Sequence, residues 1–387
     1  MIYRGRCKEE DTQQLLDMLD EVFFSDDDEK TKRNFLELLP KLYKDKYHPA
    51  YNNFIVAEDG VIKAAVGLYP FEMNILGKKI KVAGIGNVGV AASARHKGYM
   101  IDCMNQCLDQ MKADGTDISL LGGHRQRYGY FGYEPIGSCY RFTIGRRNIA
   151  HIKGGEYVTS FVSKKLLPED KEDLRLIKEL HEKSGIYAER PEEDLFDILS
   201  SWRNEPYSVY CNDVFAGYFV KDKFNDGCDE LTAVRTEDMI DVILCALDTI
   251  DKEYINIDVP SYDTETLDYM MRYYDSCSYG HCEMVNVLNY RNFIEAFLGV
   301  KASRLNLGSG SLNLLIHGFR TDEQLKVTVE GKSVTVEETS ESPDIELGHA
   351  DAMRFVSAIF SRERTALPAF AQNWFPVDFC CFSADNV

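Results

Sequence analysis

Between Asn53 and Val90 the chain reads as three extended runs, divided by turn signals at Asp59-Gly60 and Leu76-Gly77. A pair ending in Gly between apolar stretches readily takes the left-handed backbone of a two-residue hairpin. The runs "NFIVAEDGVIKAAVGLYPFEM" and "KKIKVAGIGNVGVAAS" therefore predict a three-strand meander, and neighbouring segments must pack against it. Ile2 to Arg6 reads as a strand. Leu15, Leu16, Leu19, Val22 and Phe23 fall at helical spacing within Asp11 to Phe24. A second helix is expected over Thr31 to Tyr43, a third from Gly98 to Asp114, and then a short strand in "DISLLGG".

The segment 146–285 repeats this order more loosely. Helical runs "EDLRLIKELHEKSG" and "EEDLFDILSSW" precede strands in "YSVYCNDVFAGYFVKD" and "DELTAV", a helix from Glu237 to Ile250 and the strand "EYINIDVP", which suggests an internal duplication. The segment 286–387 differs in kind. "LKVTVEGKSVTVEE" alternates so that Leu325, Val327, Val329, Val334 and Val336 point inward across a Glu330-Gly331 turn. "ADAMRFVSAIFS" carries Met353, Phe355, Val356, Ile359 and Phe360 at helical spacing, so a small α+β unit is expected. At 387 residues, two or three cores are required.

Sixty-three acidic against 44 basic residues give a formal charge of −19, which repels nucleic acid and anionic membrane and draws in a cationic ligand. The polar start "MIYRGRCKEEDTQQLL" and the lack of any long apolar stretch predict a cytoplasmic protein without a membrane partner. Eleven cysteines without framework spacing suit reduced thiols. Cys277, His281 and Cys282 lie close together, but no second ligand pair follows at zinc spacing; a loop between strands is the reading preferred and no metal is expected.

Two stretches carry chemistry. In "NVGVAASARHKGYMIDCMNQCLDQM" a strand ends at Val90, a loop bears Arg95, His96 and Lys97, and Gly98 opens a helix. A helix start offers free N–H groups and a positive dipole end to a pyrophosphate, and Gly98 lets phosphates approach the backbone. The alternative is a basic loop that merely begins a helix. The second stretch, "HRQRYGYFGYEPIG", packs three tyrosines and a phenylalanine between glycines. The rings either close the mouth of a core, or one phenol handles a proton; His124 is another candidate proton carrier.

The order of elements and the "R-H-K-G" helix start resemble the GCN5-related N-acetyltransferase fold, with Met100 where a small residue is usual. Over nearly the whole chain the likeness is to the Eis (enhanced intracellular survival) acetyltransferases: α/β tandem acetyltransferase folds plus a sterol-carrier-like α+β domain. The resemblance implies a catalytic domain at 1–145, a degenerate copy at 146–285 and the sterol-carrier-like domain at 286–387. It implies acetyl-CoA as co-substrate, held by Val88, Gly89, Val90, Arg95, His96, Lys97, Gly98, Tyr99, Met100, Ile101 and Gly123. The family's Y-G-x-F-G-Y pattern falls on Tyr128 to Tyr133, and its general acid on Tyr128, with Phe131 and Tyr133 left for packing. Its base, the chain's own terminal carboxylate, falls on Val387, where the family often has an aromatic residue. The aromatic tail "FAQNWFPVDFCCFSADNV" must dock somewhere, which suits that role. In the second copy Glu237 and Asp238 open the matching helix, and carboxylates there repel a pyrophosphate. The implied activity is acetyl transfer to a primary amine of a cationic small molecule or lysine side chain, by a homo-oligomer. A non-catalytic acyl-CoA or lipid binder is the alternative, as is a longer acyl chain.

Overall fold

The computed structural model describes residues 1–25, 33–222, 227–381 and 383–387. Its largest sheet is built on the expected meander. In spatial order it runs β1 (Ile2–Arg6), β2 (Asn53–Glu58), β3 (Val61–Ile75), β4 (Lys78–Val90), β5 (Ile118–Leu121), the strand Glu283–Val287, and β6 (Glu134–Ile136), with Ile186–Ala188 pairing along β3. Both turns have two residues at positive φ, 50° and 84° at Asp59-Gly60 and 52° and 90° at Leu76-Gly77, the backbone that continues a twisted hairpin.

β4 and β5 are parallel, so a crossover must join them, and the helix Tyr99–Asp114 supplies it. Its buried Tyr99, Cys103, Met104, Cys107, Leu108 and Met111 form the face laid on the sheet. The helix Thr12–Phe24 buries Leu15, Met18, Leu19 and Phe24 against a separate core with Leu38, Leu39 and Tyr43. The continuous helix expected from Thr31 to Tyr43 is instead two short turns, Phe35–Leu38 and Pro40–Tyr43, with Thr31 and Lys32 outside the described residues. Pro40 lacks the N–H that would continue the first turn, and Leu39 leaves helical geometry at φ −131°.

A four-stranded sheet (Val162–Lys165, Glu205–Cys211, Val214–Lys221, Cys228–Ala233) carries the helix Met239–Ile250. Strands cross the expected boundaries at 145 and 285. β7 (Cys139–Gly145) lies between Tyr254–Pro260 and Ser276–Gly280, while Glu283–Val287 sits between β5 and β6 of the first sheet. The last sheet joins Gly310–His317, Asp322–Glu330, Ser333–Glu338 and Ile345–Gly348 under the helix Tyr290–Arg304. Leu325, Val327, Val329 and Val336 are buried there and Val334 is half-buried. The final helix, His349–Ser357, stops short of the expected Ile359 and Phe360, which are exposed. Tertiary bonds end it: the carbonyls of Val356 and Ser357 accept from the backbone N–H of Val377 and Gly137.

Candidate active site

Pairing between β4 and β5 stops at Ile85 and Leu121. Beyond that point the strands part, and Gly86, Asn87 and Val88 face Gly122, Gly123 and His124 across a cavity of about 680 Å³. A bulge in β4 shapes the opening. Ala65 pairs with Gly89 and Gly67 with Gly86, so Asn87 and Val88 together oppose Val66 alone. Asn87 adopts φ 40° there, fixed by Tyr69 Oη donating to its Oδ1 at 2.8 Å and by its own Nδ2 donating to Asn53 at 2.7 Å. A strand that bulges leaves the extra residue's backbone groups unpaired in the ladder.

The loop after β4 leads to the helix Tyr99–Asp114 through His96 at φ 67° and Gly98 at φ 80°. A Cβ on Gly98 would meet no protein atom within 4 Å, so its face opens outward. Arg95, His96 and Ile101 are exposed and Met100 is half-buried. Lys97 is committed to an ion pair with Glu58 at 2.8 Å, and the Tyr99 phenol donates to the same carboxylate. Arg4 likewise pairs with Asp102 of the first helical turn at 2.7 Å, offsetting a charge that would repel an anion. These residues gather at the helix start, outside the cavity. Val88 lines the cavity, and Gly89 and Val90 carry the strand from there to the loop.

The aromatic stretch divides by burial. Tyr133 is fully buried, its hydroxyl 2.6 Å from Ser119 Oγ, and Phe131 is buried beside it. Tyr130 is 72% exposed. Tyr128 has a buried ring but lines the cavity, and no hydrogen bond is made by its hydroxyl among the described residues. The turn that presents it, Arg125–Tyr128, is held by Arg125 on Glu134 through two bonds of 2.8 and 2.7 Å. Gly123 must be glycine, because a Cβ there would lie 2.5 Å from the Tyr128 ring.

The chain terminus enters the same cavity. Val387 packs on β4 so closely that a Cβ on Gly84 would lie 2.5 Å from its side chain, and its carboxyl carbon lies 3.5 Å from the Cβ position of Gly86. The tail that delivers it buries Trp374, Phe375 and Phe379; Phe382 lies outside the described residues. A buried charge latch then fixes the last four residues. Arg190, 2% exposed, binds Asp385 through Nε at 2.7 Å and grips Glu230 through both terminal nitrogens, and Tyr218 donates to Glu230 at 2.9 Å. Burial works against these charges, but Arg190 outweighs it and holds the Asp385 carboxyl below its ordinary range. Lys41 donates to the carbonyls of Ala384 and Asn386; its burial pushes the ammonium down to about 8. Tyr128, Val387, Val88 and Gly123 are thus brought together by the fold, while Arg95 to Ile101 form a separate group.

Sequence reasoning missed the far wall. Trp202, Asn204, Asp222, Asp229 and Glu283 line the cavity from the second half of the chain. No motif marks them, although Trp202 and Arg203 adopt φ 61° and 60°, a strained pair of the kind that gathers at functional sites. Glu283 accepts from Asn386 Nδ2 at 2.7 Å, and burial pushes its carboxyl up to about 7. Phe23, Phe24, Phe35 and Tyr43 complete an aromatic lining. The helix Met239–Ile250 begins differently from Tyr99–Asp114: Asp238 is held by Arg235 at 2.6 Å. Among the described residues no cluster of His, Cys, Asp and Glu could hold a metal ion, and no helix is long and apolar enough to cross a membrane.

A family model described as an acetyltransferase (GNAT) domain matches residues 5–136. No curated protein matches the chain in sequence. Among solved structures, a GCN5-related N-acetyltransferase from Kribbella flavida superposes with a TM-score of 0.68 at 18% identity, covering 100% of this chain and 98% of that one. One from Anabaena variabilis gives 0.66 at 16% identity over 94% and 92%. Eis1 from Mycobacterium abscessus gives 0.62 at 13% identity over the whole of both chains. At such identities the likeness speaks for fold alone. Residues 5–136 match the acetyltransferase (GNAT) domain model, and the chain as a whole shares the fold of these solved structures.

Proposed function

We propose that the protein transfers an acetyl group from acetyl-CoA to a primary amine of a cationic small molecule or lysine side chain. The observation that supports this reading is the meeting of Tyr128 and the Val387 terminus in the cleft where β4 and β5 part. The donor's pyrophosphate lies at the amides of the helix start at Gly98, and its pantetheine runs along Val88 to Val90 toward Gly123. A backbone N–H of the β4 bulge faces the thioester oxygen as it gains charge. The amine nitrogen attacks the thioester carbon, the C–N bond forms, the C–S bond breaks, Tyr128 Oη gives its proton to the departing thiolate, and the nitrogen's surplus proton restores the phenol. A phenol of ordinary pKa about 10 is protonated at neutral pH and suits a thiolate of similar basicity. The Val387 carboxylate attracts the ammonium form of the acceptor.

The rest of the chain serves this cleft in the same proposal. Residues 146–285 form a degenerate copy without a donor site, which the Arg235–Asp238 pair at its helix start supports. Residues 286–387 form the sterol-carrier-like unit whose tail supplies the carboxylate. A cytoplasmic homo-oligomer is the assembly proposed. The test is thiol release from acetyl-CoA with spermidine, an aminoglycoside or a lysine peptide as acceptor. Amine-dependent release is expected with at least one of them; no release with any amine, or a co-purified lipid filling the cleft, would overturn the reading.

A further inference from the structure

Two carboxylates of the cleft, those of Glu283 and Val387, belong to different stretches of chain, and Asn386 joins them. Its side-chain Nδ2 donates to Glu283 Oε1 at 2.7 Å, and its backbone leads directly into Val387. Glu283 is half-buried at the edge of the strand Glu283–Val287, between β5 and β6, so its position follows from the strand exchange rather than from the mobile end of a loop. It borders two cavities at once. The second, of about 550 Å³, shares Asp222, Asp229, Glu283 and Asn386 with the first and continues toward Asp258.

We propose that Glu283 is the carboxylate that receives the acceptor's ammonium group and takes its proton before attack, with the remainder of an elongated polycation extending into the second cavity. The inference rests on the N-acetyltransferase reading above. Among the described residues no cation pairs with Glu283, unlike Glu134 and Glu230, which are each held by an arginine. A carboxylate withdrawn from water without a cation is costly, and a structural role could be filled by glutamine. A terminal carboxylate of ordinary pKa about 3.5 is also a poor acceptor for an ammonium proton. Burial brings Glu283 up to about 7, much nearer the ammonium.

In the step proposed, the acceptor R–NH3⁺ passes one proton to the Glu283 carboxylate and becomes R–NH2, which then attacks the thioester. The nitrogen's second proton returns to Tyr128, which has given its own to the thiolate, and the proton on Glu283 leaves to solvent, so one ammonium ion and one thioester yield one amide, one thiol and one proton. The other charged groups around Glu283 come from several elements. Arg127 and His124 share its cavity from the Tyr128 side, Val387 from the tail, and Asp229 from the second sheet with Asp222 just beyond it. In the second cavity lie His281 and an Arg141–Asp258 pair bonded at 2.7 and 2.6 Å. Contact with Cys282 and burial raise the Cys139 thiol; contact with Cys139 lowers Cys282, but Cys380 and burial outweigh it and raise that thiol too, so both are neutral at pH 7.

The experiment compares wild type with Glu283→Gln for spermidine acetylation between pH 5.5 and 9.5, with acetyl-CoA affinity measured by calorimetry. For wild type, kcat/KM should rise with pH through a midpoint near 7, because only the ionised carboxylate accepts the proton. Glu283→Gln should lose about 10²-fold in kcat/KM and lose that limb, while acetyl-CoA binds as before. Gln also removes a buried charge, so its melting temperature should gain on wild type at pH 8 but not at pH 5. Asn386→Ala, which removes a donor to the ionised form, should move the limb upward. Wild-type kcat/KM and an unchanged limb in Glu283→Gln, or an unmoved limb in Asn386→Ala, would sink the inference. A wild type that releases no thiol at any pH would instead sink the reading beneath it.

Discussion

Within six residues the stretch "YGYFGY" gives its rings three different environments, and burial decides which of them can do chemistry. Tyr133 spends its hydroxyl on Ser119, Phe131 has none to offer, and Tyr130 is in solvent. Only Tyr128 combines a packed ring with a hydroxyl in the cleft that bonds no described residue. Tyr128→Phe should therefore lower kcat by between about 10² and 10⁴-fold, with acetyl-CoA affinity and melting temperature little changed, since no hydrogen bond to protein is removed. Turnover equal to wild type would remove Tyr128 from the acid role. The motif was legible because its residues are neighbours in sequence. Glu283 was not legible: the groups that give it meaning, Tyr128 and Asn386, lie more than a hundred residues away on either side, and a lone glutamate in a strand carries no signal.

At the scale of elements, the turns at Asp59-Gly60 and Leu76-Gly77 announced the meander, since each turn requires a backbone that few residue pairs tolerate. The β4 bulge was hidden, because an inserted residue shows only once the partner's register is known. The final helix shows the same limit: Ile359 and Phe360 fit the helical period, yet tertiary bonds to Val356 and Ser357 end the helix first. The tail's docking could be read from its aromatic content, but its latch could not, because Arg190 and Asp385 are 195 residues apart. Arg190→Met tests that latch. It leaves Glu230 and Asp385 buried without their cation and should cost about 3–5 kcal/mol. Because the terminal residues are then released, kcat should fall much more than acetyl-CoA affinity. The Asp385 contribution is present above the ordinary carboxylate range and is lost as pH falls through its lowered pKa, so the melting difference between the two proteins should narrow toward acid pH. Equal melting curves and equal kcat at pH 7 would show that the latch positions nothing.

The cleft takes parts from every third of the chain: the splayed strands and Tyr128 from the first, Trp202 and Asp229 from the second, Glu283, Asn386 and Val387 from the last. Strand exchange ties that assembly together, since β7 pairs with strands beyond residue 250 and the strand Glu283–Val287 lies within the first sheet. Composition foreshadowed the acidic balance but not its concentration at this wall, because net charge carries no address. Individual helices and strands were readable from periodicity, while the pairing of strands distant in sequence was not, since a short apolar run does not name its partner. The most direct measurement is a crystal structure of the protein with acetyl-CoA. Density for the pyrophosphate at the amides following Gly98, with the acetyl carbon between the β4 bulge and Tyr128 Oη, is the expected result. Acetyl-CoA bound elsewhere, or lodged in the cleft with its acetyl group turned away from Tyr128 and Val387, would contradict the account.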